Sequence, residues 1–269
     1  MTAETLLARY DALLLDLDGT VYRGRDAVPG AVEAVAAARA AGVGIRFVTN
    51  NASRAPQEVA DHLAEIGFNA VLDEVSTSAQ AGAAMVADLV PVGSAVLVLG
   101  TDALAHQIEL VGLRPVRTAD EDVVAVVQGL SQDLGWRELA EACVAIRAGA
   151  VWVACNVDLT LPTERGLLPG CGSLVAALRA ATDREPLVAG KPATPLLEQA
   201  AKSLGAQRPL VVGDRLDTDI AGACHAGMDS LLVLTGVSTE AEALALPPEL
   251  RPTHVAADLG VLHQLPLNA

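Results

Sequence analysis

The stretch ALLLDLDGT, residues 12–20, decides the fold class of this chain of 269 residues. Its first four residues are apolar without polar alternation, which is typical of a strand covered on both faces of a parallel sheet. Asp16, Asp18 and Gly19 follow the strand, and a glycine at this point favours a turn. Because parallel α/β sheets bind ligands at the carboxyl ends of their strands, Asp16 and Asp18 are the first candidate site residues.

Similar apolar runs recur along the chain, and each is followed by an Ala/Leu-rich stretch with helical spacing. This alternation predicts an α/β fold, a doubly wound parallel sheet with helices on both faces. The predicted helices are 30–41, 55–66, 78–89, 102–111, 136–148, 171–181, 193–204 and 217–226. The predicted strands are Ala12–Leu17, Gly44–Thr49, Ala95–Leu99, Val123–Val127, Val151–Ala154, Leu210–Val212 and Ser230–Leu234.

Two more polar clusters follow predicted strands. Thr49, Asn50 and Asn51 end the run that starts at Gly44, and GDRLDTD, residues 213–219, follows Leu210–Val212. Taken alone, each cluster is most often a turn or a helix cap. Three such clusters at three strand ends favour one shared site over three coincidences.

The aspartates of these clusters create an electrostatic problem that a metal ion solves. Unit charges about 4 Å apart repel by about 4 kcal/mol at an effective dielectric constant of about 20. A group formed by Asp16, Asp18, Asp214 and Asp219 therefore needs a hard cation, and ligands that are all oxygen favour Mg²⁺. With Mg²⁺ and the ammonium of Lys191 present, we expect the site to accept a phosphate dianion that it would otherwise repel.

Composition and missing motifs exclude several functions. The formal net charge of −15 disfavours nucleic acid and anionic membranes as partners. No GxGxxG, P-loop or GxSxG motif follows a strand, so dinucleotide binding, NTP hydrolysis and serine hydrolysis have no support. The four cysteines form no CxxC pair, which disfavours zinc, and we expect reduced thiols in a cytoplasmic protein.

These motifs together resemble those of the haloacid dehalogenase superfamily. LLLDLDGTV, residues 13–21, is similar to its first motif, hhhDxDGT, and Thr49 in FVTNN is similar to its second. Lys191 in AGKP and the segment 213–219 are similar to the third and fourth motifs. TNN, GKP and GDRLDTDI are forms typical of the class IIA branch. The resemblance implies a Rossmann-like core with an inserted α/β cap domain of C2 type.

The resemblance also implies the chemistry, which is phosphate monoester hydrolysis through an aspartyl-phosphate. Asp16 is expected to attack phosphorus, and Asp18 to protonate the leaving alkoxide and then deprotonate the hydrolytic water. Mg²⁺ is expected to bind a carboxylate oxygen of Asp16, the backbone carbonyl of Asp18 and the carboxylate of Asp214. Asp219 is expected to orient metal-bound water.

Three further residues are expected to bind the transferring phosphoryl group. They are the hydroxyl of Thr49, the backbone amide of Asn50 and the ammonium of Lys191. Donors aimed at the equatorial oxygens supply most of the catalysis in phosphoryl transfer.

A second domain is predicted inside the first. About 140 residues separate Asn51 from Gly190, far too many for a loop, and they contain their own strand–helix pattern. We therefore predict a core formed by residues 1–77 and 186–269, with a cap formed by residues 78–185. The resemblance implies that this cap excludes water and selects the substrate.

The segment Cys155–Gly172 is the predicted specificity loop of the cap, because Pro and Gly give it a fixed, irregular path. Asn156, Asp158 and Arg165 are its candidate substrate contacts. The alternative is that Asn156 and Asp158 satisfy backbone groups in a turn and that Arg165 is a solvated surface residue.

The substrate stays open at this point. VTNNASR and ACNVDLTLPTERGLLPG are especially similar to glycerol 3-phosphate phosphatases of the mycobacterial type, so glycerol 3-phosphate is the first expectation. Phosphoglycolate, another sugar phosphate, pyridoxal phosphate and nucleotide monophosphates are alternatives. So are a phosphometabolite-binding regulator without activity and a transferase that passes the phosphoryl group to another acceptor.

The location and the assembly complete the expectations. The N-terminal stretch MTAETLLARYDA lacks the pattern of a signal peptide, and no apolar run reaches the length of a membrane helix, so a cytoplasmic location is expected. The resemblance also implies a homodimer formed through the cap.

Overall fold

Two parallel sheets organise the chain in a computed structural model that describes residues 5–120, 122–163 and 165–264. The chain divides into two compact units. The first unit joins the described residues up to Thr49 with Pro56–Ser76 and with the described residues from Lys191 onward. The second unit joins Asn50–Ala55 with Thr77–Gly190. The chain therefore changes unit four times, directly after Thr49, Ala55, Ser76 and Gly190.

The elements follow the predicted alternation of strands and helices. The strands are β1 Ala12–Leu15, β2 Tyr22–Arg23, β3 Asp26–Ala27, β4 Gly44–Thr49, β5 Val75–Thr77, β6 Ala95–Leu99, β7 Arg114–Val116, β8 Val123–Gln128, β9 Val151–Ala154, β10 Thr160–Thr163, β11 Gly166–Pro169, β12 Leu187–Val188, β13 Pro209–Gly213, β14 Asp229–Val233 and β15 His254–Ala256. The helices are α1 Ala31–Ala40, α2 Pro56–Glu65, α3 Ser78–Leu89, α4 Asp102–Leu110, α5 Trp136–Arg147, α6 Cys171–Thr182, α7 Pro195–Leu204, α8 Ala221–Ala226 and α9 Glu240–Ala245.

The first unit contains a sheet of six strands in the order β15-β14-β13-β1-β4-β5. Strand β1 lies between β13 and β4 and is parallel to both. All four residues of β1 are buried, because helices cover both faces of this sheet. Leu13 and Leu15 belong to the main core of the unit, together with Phe47 of β4 and Phe68.

The second unit contains a parallel sheet of five strands in the order β12-β9-β8-β6-β7. Its core on one face is formed by Leu97, Leu99, Val126 and Trp152, with α5 and α6 packed against it. The predicted α/β fold with parallel sheets is confirmed in both units.

Three local features differ from the sequence prediction. The segment expected to be irregular contains an antiparallel hairpin, β10–β11, because Thr160–Thr163 pairs with Gly166–Pro169. The helix predicted at 217–226 starts as a π-helical turn, Leu216–Ile220, and only then continues as α8. Strand β1 ends at Leu15 and not at Leu17, since the chain turns away from the sheet at Asp16.

The described part of the chain contains no helix with both the length and the apolar character that crossing a bilayer requires.

Candidate active site

The end of β1 brings the first motif against the fourth in the first unit. The backbone N–H of Asp16 donates to the carbonyl of Val212 on β13, with a distance of 2.8 Å between N and O. Gly19 has a φ of +89°, and a Cβ at that position would lie 2.6 Å from Oδ2 of Asp214. Only glycine permits both the backbone conformation and this close approach.

Lys191 is buried and joins two of the aspartates. Its Nζ lies 2.5 Å from Oδ1 of Asp16 and 2.7 Å from Oδ1 of Asp219. The same nitrogen donates to the carbonyl of Val48 at 3.3 Å, one residue before the end of β4. The ammonium therefore connects residues that are far apart in the sequence.

Asp214 follows β13 and is held on one side only. Its Oδ2 accepts the backbone N–H of Val237 at 2.7 Å, whereas its Oδ1 is buried and has no hydrogen-bond partner among the described residues. A Cβ on Gly236 would lie 1.9 Å from Oδ2 of Asp214, so this glycine is required for the contact. Burying a carboxylate oxygen without a hydrogen-bond partner costs folding free energy unless a cation occupies the site.

Asp219 lies in the π-helical turn and is buried. Its Oδ2 accepts the backbone N–H of Arg215 at 3.2 Å, and its Oδ1 binds Lys191. A Cβ on Gly213 would lie 2.2 Å from Cγ of Asp219. Both carboxylate oxygens of Asp219 are therefore held by protein groups.

The crowding of these groups shifts their pKa values. Burial, followed by the negative charge of Asp219, raises the pKa of Asp16 to about 8, although the Lys191 ammonium acts in the opposite direction. Burial and the charge of Asp219 also raise the pKa of Asp214 to about 6. Burial alone lowers the pKa of Lys191, but the carboxylates of Asp16 and Asp219 outweigh burial and raise that pKa above its ordinary value.

The donor set fits a divalent cation. Carboxylate oxygens of Asp16, Asp214 and Asp219 all lie within 4.8 Å of one another. Three carboxylates against one ammonium leave a negative site, and hard oxygen donors of this kind suit Mg²⁺. Oδ1 of Asp214, which has no partner among the described residues, is the most direct sign that the site can hold a cation.

Two other predicted residues of the first unit lie at the same edge of the sheet. Thr49 is the last residue of β4, the neighbour of β1, and only 8% of its surface is exposed. Asp18 lies two residues after Asp16 and is exposed, in a bridge with Tyr22. Exposure suits a residue that must exchange protons with a leaving group and with water.

In the second unit, three of the four predicted residues come together. The side chains of Asn156 and Asp158 both hydrogen-bond to Asn50. Arg165 lies apart from them and is exposed at the turn of the β10–β11 hairpin. The roles of all these residues in catalysis, metal binding and specificity stay predictions.

Gly213, Gly236 and Val237 help to place the aspartates but were not among the candidate site residues predicted from the sequence. Their signal is faint, namely a glycine at the end of β13 and a Thr-Gly pair shortly after β14. The reason for these residues is tertiary, because each glycine makes room for a carboxylate from elsewhere in the chain.

Comparison with known proteins supplies an independent finding. A family model described as haloacid dehalogenase-like hydrolase matches residues 13–114, and a second model of the same superfamily matches residues 188–262. The first match contains the first two motifs, and the second match contains the third and fourth.

Three curated relatives match most of the chain. The D-glycerol 3-phosphate phosphatase of Mycobacterium tuberculosis is 54% identical, and the match covers 97% of this chain and 73% of that protein. The 5'-nucleotidase YutF of Bacillus subtilis is 40% identical, with 93% and 96% covered. An acid sugar phosphatase of Staphylococcus aureus is 37% identical, with 87% and 90% covered.

A solved structure agrees with both sheets. The crystal structure of a glycerol phosphate phosphatase from Mycobacterium tuberculosis in complex with magnesium matches with a TM-score of 0.93 and 54% identity, covering 97% of this chain and 78% of that one. The prediction of Mg²⁺ agrees with that complex. With superfamily models at both ends of the chain and phosphatase relatives along most of its length, the chain belongs to the class IIA phosphatases of the haloacid dehalogenase superfamily.

Proposed function

We propose that the chain hydrolyses a small phosphate monoester with Asp16 as the nucleophile, and that glycerol 3-phosphate is its preferred substrate. The observation that carries the chemistry is the buried group at the end of β1, in which Lys191 binds both Asp16 and Asp219 beside the half-satisfied Asp214. The chain belongs to a phosphatase family, and no observation favours the alternative of a phosphometabolite-binding regulator without activity.

In the first step, Asp16 replaces the alcohol on phosphorus. Lys191 binds Oδ1 of Asp16, which leaves the other carboxylate oxygen to attack. A bond forms between that oxygen and phosphorus while the ester bond to the leaving oxygen breaks. Asp18 gives its proton to the departing alkoxide, so the alcohol leaves neutral.

In the second step, water removes the phosphoryl group. Asp18, now a carboxylate, accepts a proton from the water as its oxygen attacks phosphorus. The bond between phosphorus and Asp16 breaks, inorganic phosphate leaves, and both aspartates return to their starting protonation states.

Mg²⁺ is proposed to bind Asp16, Asp214 and the backbone carbonyl of Asp18, with Asp219 orienting water from the position in which Lys191 and Arg215 hold it. The bound ion supplies the positive charge that favours the carboxylate form of these groups and stabilises charge on the phosphoryl oxygens. The pKa values of Asp16 and Asp214 are raised without an ion, which means that their carboxylate forms are disfavoured. A nearby cation favours the charged form and would remove this penalty, which supports the proposed Mg²⁺ site.

The phosphoryl oxygens are proposed to bind the Thr49 hydroxyl, the Asn50 amide and the Lys191 ammonium. Thr49 ends β4, and the Asn50 N–H belongs to the peptide that directly follows it. Lys191 donates to the carbonyl of Val48, so its ammonium lies beside the end of that strand.

The choice of glycerol 3-phosphate is supported by the identity of 54% to a D-glycerol 3-phosphate phosphatase, against 40% to a 5'-nucleotidase and 37% to an acid sugar phosphatase. Phosphoglycolate, pyridoxal phosphate, other sugar phosphates and nucleotide monophosphates are the competitors. The second unit, as the proposed cap, is the part that selects among them, with Arg165 as a candidate contact.

The test is phosphate release with Mg²⁺ from each of these esters and from nitrophenyl phosphate. We expect activity that EDTA removes, the highest kcat/KM for glycerol 3-phosphate, and no turnover in Asp16→Asn. Asp73→Asn, an exposed aspartate of the same unit, is the matched control and keeps full activity. Full activity in Asp16→Asn contradicts the nucleophile, and a higher kcat/KM for another ester contradicts the substrate.

The assembly and the location are also proposals. A homodimer through the second unit is proposed from the family resemblance, and a cytoplasmic location from the lack of a signal-peptide pattern. The acidic composition disfavours nucleic acid and anionic membranes as partners. Light scattering of the purified chain tests the dimer, and a single-copy mass contradicts it.

A further inference from the structure

Asn50, the first residue of the second unit, is held by its backbone carbonyl. That carbonyl accepts the hydroxyl of Ser78 at 2.6 Å and the side-chain N–H of Asn156 at 2.7 Å. Ser78 is the first residue of α3 and is fully buried, and Asn156 follows β9 with 6% exposure. Two separate elements of the second unit thus fix the peptide group between Asn50 and Asn51, which adjoins the peptide group that carries the Asn50 N–H.

The side chain of Asn50 is held as well. Its Nδ2 donates to both carboxylate oxygens of Asp158, at 3.3 and 3.2 Å. The backbone N–H of Asp158 in turn donates to Oδ1 of Asn156 at 3.2 Å. A Cβ on Gly190 would lie 2.6 Å from Oδ1 of Asn50, so the returning chain packs against the same amide, one residue before Lys191.

The segment that presents Asp158 is itself fixed. The N–H of Gly172 donates to the carbonyl of Asp158 at 2.9 Å. A Cβ on Gly172 would lie 2.1 Å from the carbonyl of Val157, and one on Gly170 would lie 2.3 Å from the carbonyl of Asp158. The start of α6 therefore packs directly on the backbone of residues 157 and 158.

We propose that Asn156 and Asp158 are positioning residues of the phosphate site, which act by fixing Asn50 and not by contacting the leaving group. This rests on the proposed function, in which the Asn50 N–H and the preceding Thr49 bind the phosphoryl oxygens. A donor that is already oriented before the substrate arrives costs no ordering during the reaction. The side chain of Asn156 bonds both Asn50 and Asp158, and both carboxylate oxygens of Asp158 bond Asn50.

The proposal differs from a specificity role in a measurable way. Every ester substrate carries the same phosphoryl group. Displacement of Asn50 therefore lowers kcat/KM for all esters by the same factor and also weakens the binding of inorganic phosphate. A fault in a leaving-group contact changes the factor from ester to ester and leaves inhibition by inorganic phosphate unchanged.

The experiment compares Asp158→Ala and Asp158→Asn with the exchanged pair Asn50→Asp/Asp158→Asn. The readouts are kcat and KM for glycerol 3-phosphate, phosphoglycolate and nitrophenyl phosphate, with the inhibition constant of inorganic phosphate. We expect Asp158→Ala to raise this constant about tenfold and to lower kcat/KM by one common factor. Asn50→Asp alone places two carboxylates next to each other, so we expect it to lower kcat/KM further than Asp158→Ala does. In the exchanged pair the amide and the carboxylate have changed positions, so we expect most of the lost kcat/KM to be recovered.

Folding and the proposed function are controlled separately. Asp88→Asn, an exposed residue on α3 of the same unit, is the matched control, and the thermal midpoint of each variant reports folding. If the wild-type chain hydrolyses no ester, the proposed function fails; if it does, the Asp158 variants decide the inference. Unchanged phosphate inhibition in Asp158→Ala, losses that depend on the leaving group, or no recovery in a folded exchanged pair each overturn it.

Discussion

The two parallel sheets differ in how fully the charged side chains at the carboxyl ends of their strands are compensated by partners. In the first unit, the partly buried Asp16 after β1 and the buried Asp219 after β13 share one ammonium, and Oδ1 of Asp214 has no partner among the described residues. In the second unit, Arg117 after β7 donates to the carbonyls of Val98 and Gly100 at 2.9 and 2.8 Å and to Asp102 at 2.7 Å. The charge of Arg117 is therefore compensated by backbone carbonyls and a carboxylate of the same unit.

A second crevice, lined among others by Leu99, Asp102, Arg117 and Glu138, lies in the second unit at the place where α/β sheets usually bind ligands. It is a cavity of about 650 Å³ at the ends of β6 and β8, where the strand order reverses. Three of its acids have protein partners, since Asp102 binds Arg117, Glu138 accepts the N–H of Gly135 and Glu141 accepts the N–H of Ala119. The two sheets share an architecture and differ in whether the charge at their carboxyl ends is left uncompensated.

The largest expected contrast is the loss of the buried ammonium. Lys191→Met leaves Asp16 and Asp219 without their cation, which we expect to cost about 3–5 kcal/mol of unfolding free energy without Mg²⁺ and to lower kcat by about 10²-fold or more. Arg117→Met removes a half-exposed cation and is expected to cost about 1 kcal/mol with activity retained. Urea unfolding and kinetics measure both, and equal costs would erase the contrast.

The next contrast is the effect of Mg²⁺ on stability when an aspartate is replaced in the first unit or at the crevice of the second unit. At a concentration of about 100 times its Kd, Mg²⁺ is expected to stabilise the chain by about 2.7 kcal/mol, because it binds the folded site alone. Asp214→Asn should lose this stabilisation, whereas Asp133→Asn, at the second crevice, should keep it. Thermal unfolding with and without Mg²⁺ is the measurement, and a loss in Asp133→Asn would mean that the metal binds the wrong unit.

Two glycines without a positive φ offer a finer contrast. Gly236→Ala places a Cβ against the carboxylate of Asp214 and is expected to cost about 1–3 kcal/mol and to weaken Mg²⁺ binding. Gly135→Ala in the second unit meets its nearest atom only at 3.5 Å and is expected to cost about 0.5 kcal/mol. Calorimetric titration with Mg²⁺ tests the pair, and unchanged affinity in Gly236→Ala speaks against the close contact.

The smallest effect belongs to the opposite edge of the first sheet. There the hydroxyl of Tyr10 donates to Asp229 at 2.9 Å and lies 2.9 Å from Nε2 of His254. Burial, together with the positive charge of Arg9, lowers the pKa of His254 below its ordinary value of 6.5. Burial and the hydrogen bond to Asp229 raise the pKa of Tyr10 to about 12.

The sign of the pH dependence follows from the lowered pKa of His254. As the pH falls below 6.5, the unfolded chain binds a proton that the folded chain binds only at lower pH, so stability falls. In His254→Gln this part of the loss is expected to disappear, while catalysis is unaffected. Urea unfolding between pH 7 and pH 5, at about half-unit steps, measures it; an unchanged slope in the variant excludes His254 as the cause.

Long buried strands and their flanking helices were accessible from the sequence. Gly44–Thr49, Ala95–Leu99 and Val151–Ala154 were predicted with the bounds that the structure has, because each is a continuous apolar run between turn residues. Short edge strands such as β7 and β12 were missed, since pairing with a neighbour and not their own pattern makes them strands.

The site was predictable in part for the same reason. Asp16 and Asp214 directly follow strands and Thr49 ends one, and the carboxyl ends of parallel strands meet at one edge. The support from Gly236 and the hydrogen bonds of Asp158 to Asn50 were not predictable, because those residues are brought together only by tertiary packing.

The most direct test of the account is to look for the phosphoryl group on Asp16 itself. The chain is mixed with Mg²⁺ and glycerol 3-phosphate, quenched in acid within one turnover and digested for mass spectrometry. We expect one phosphoryl group on the peptide that contains Asp16, removed by hydroxylamine and absent in Asp16→Asn. Turnover with the phosphoryl group on another residue, or undiminished turnover in Asp16→Asn, would contradict it.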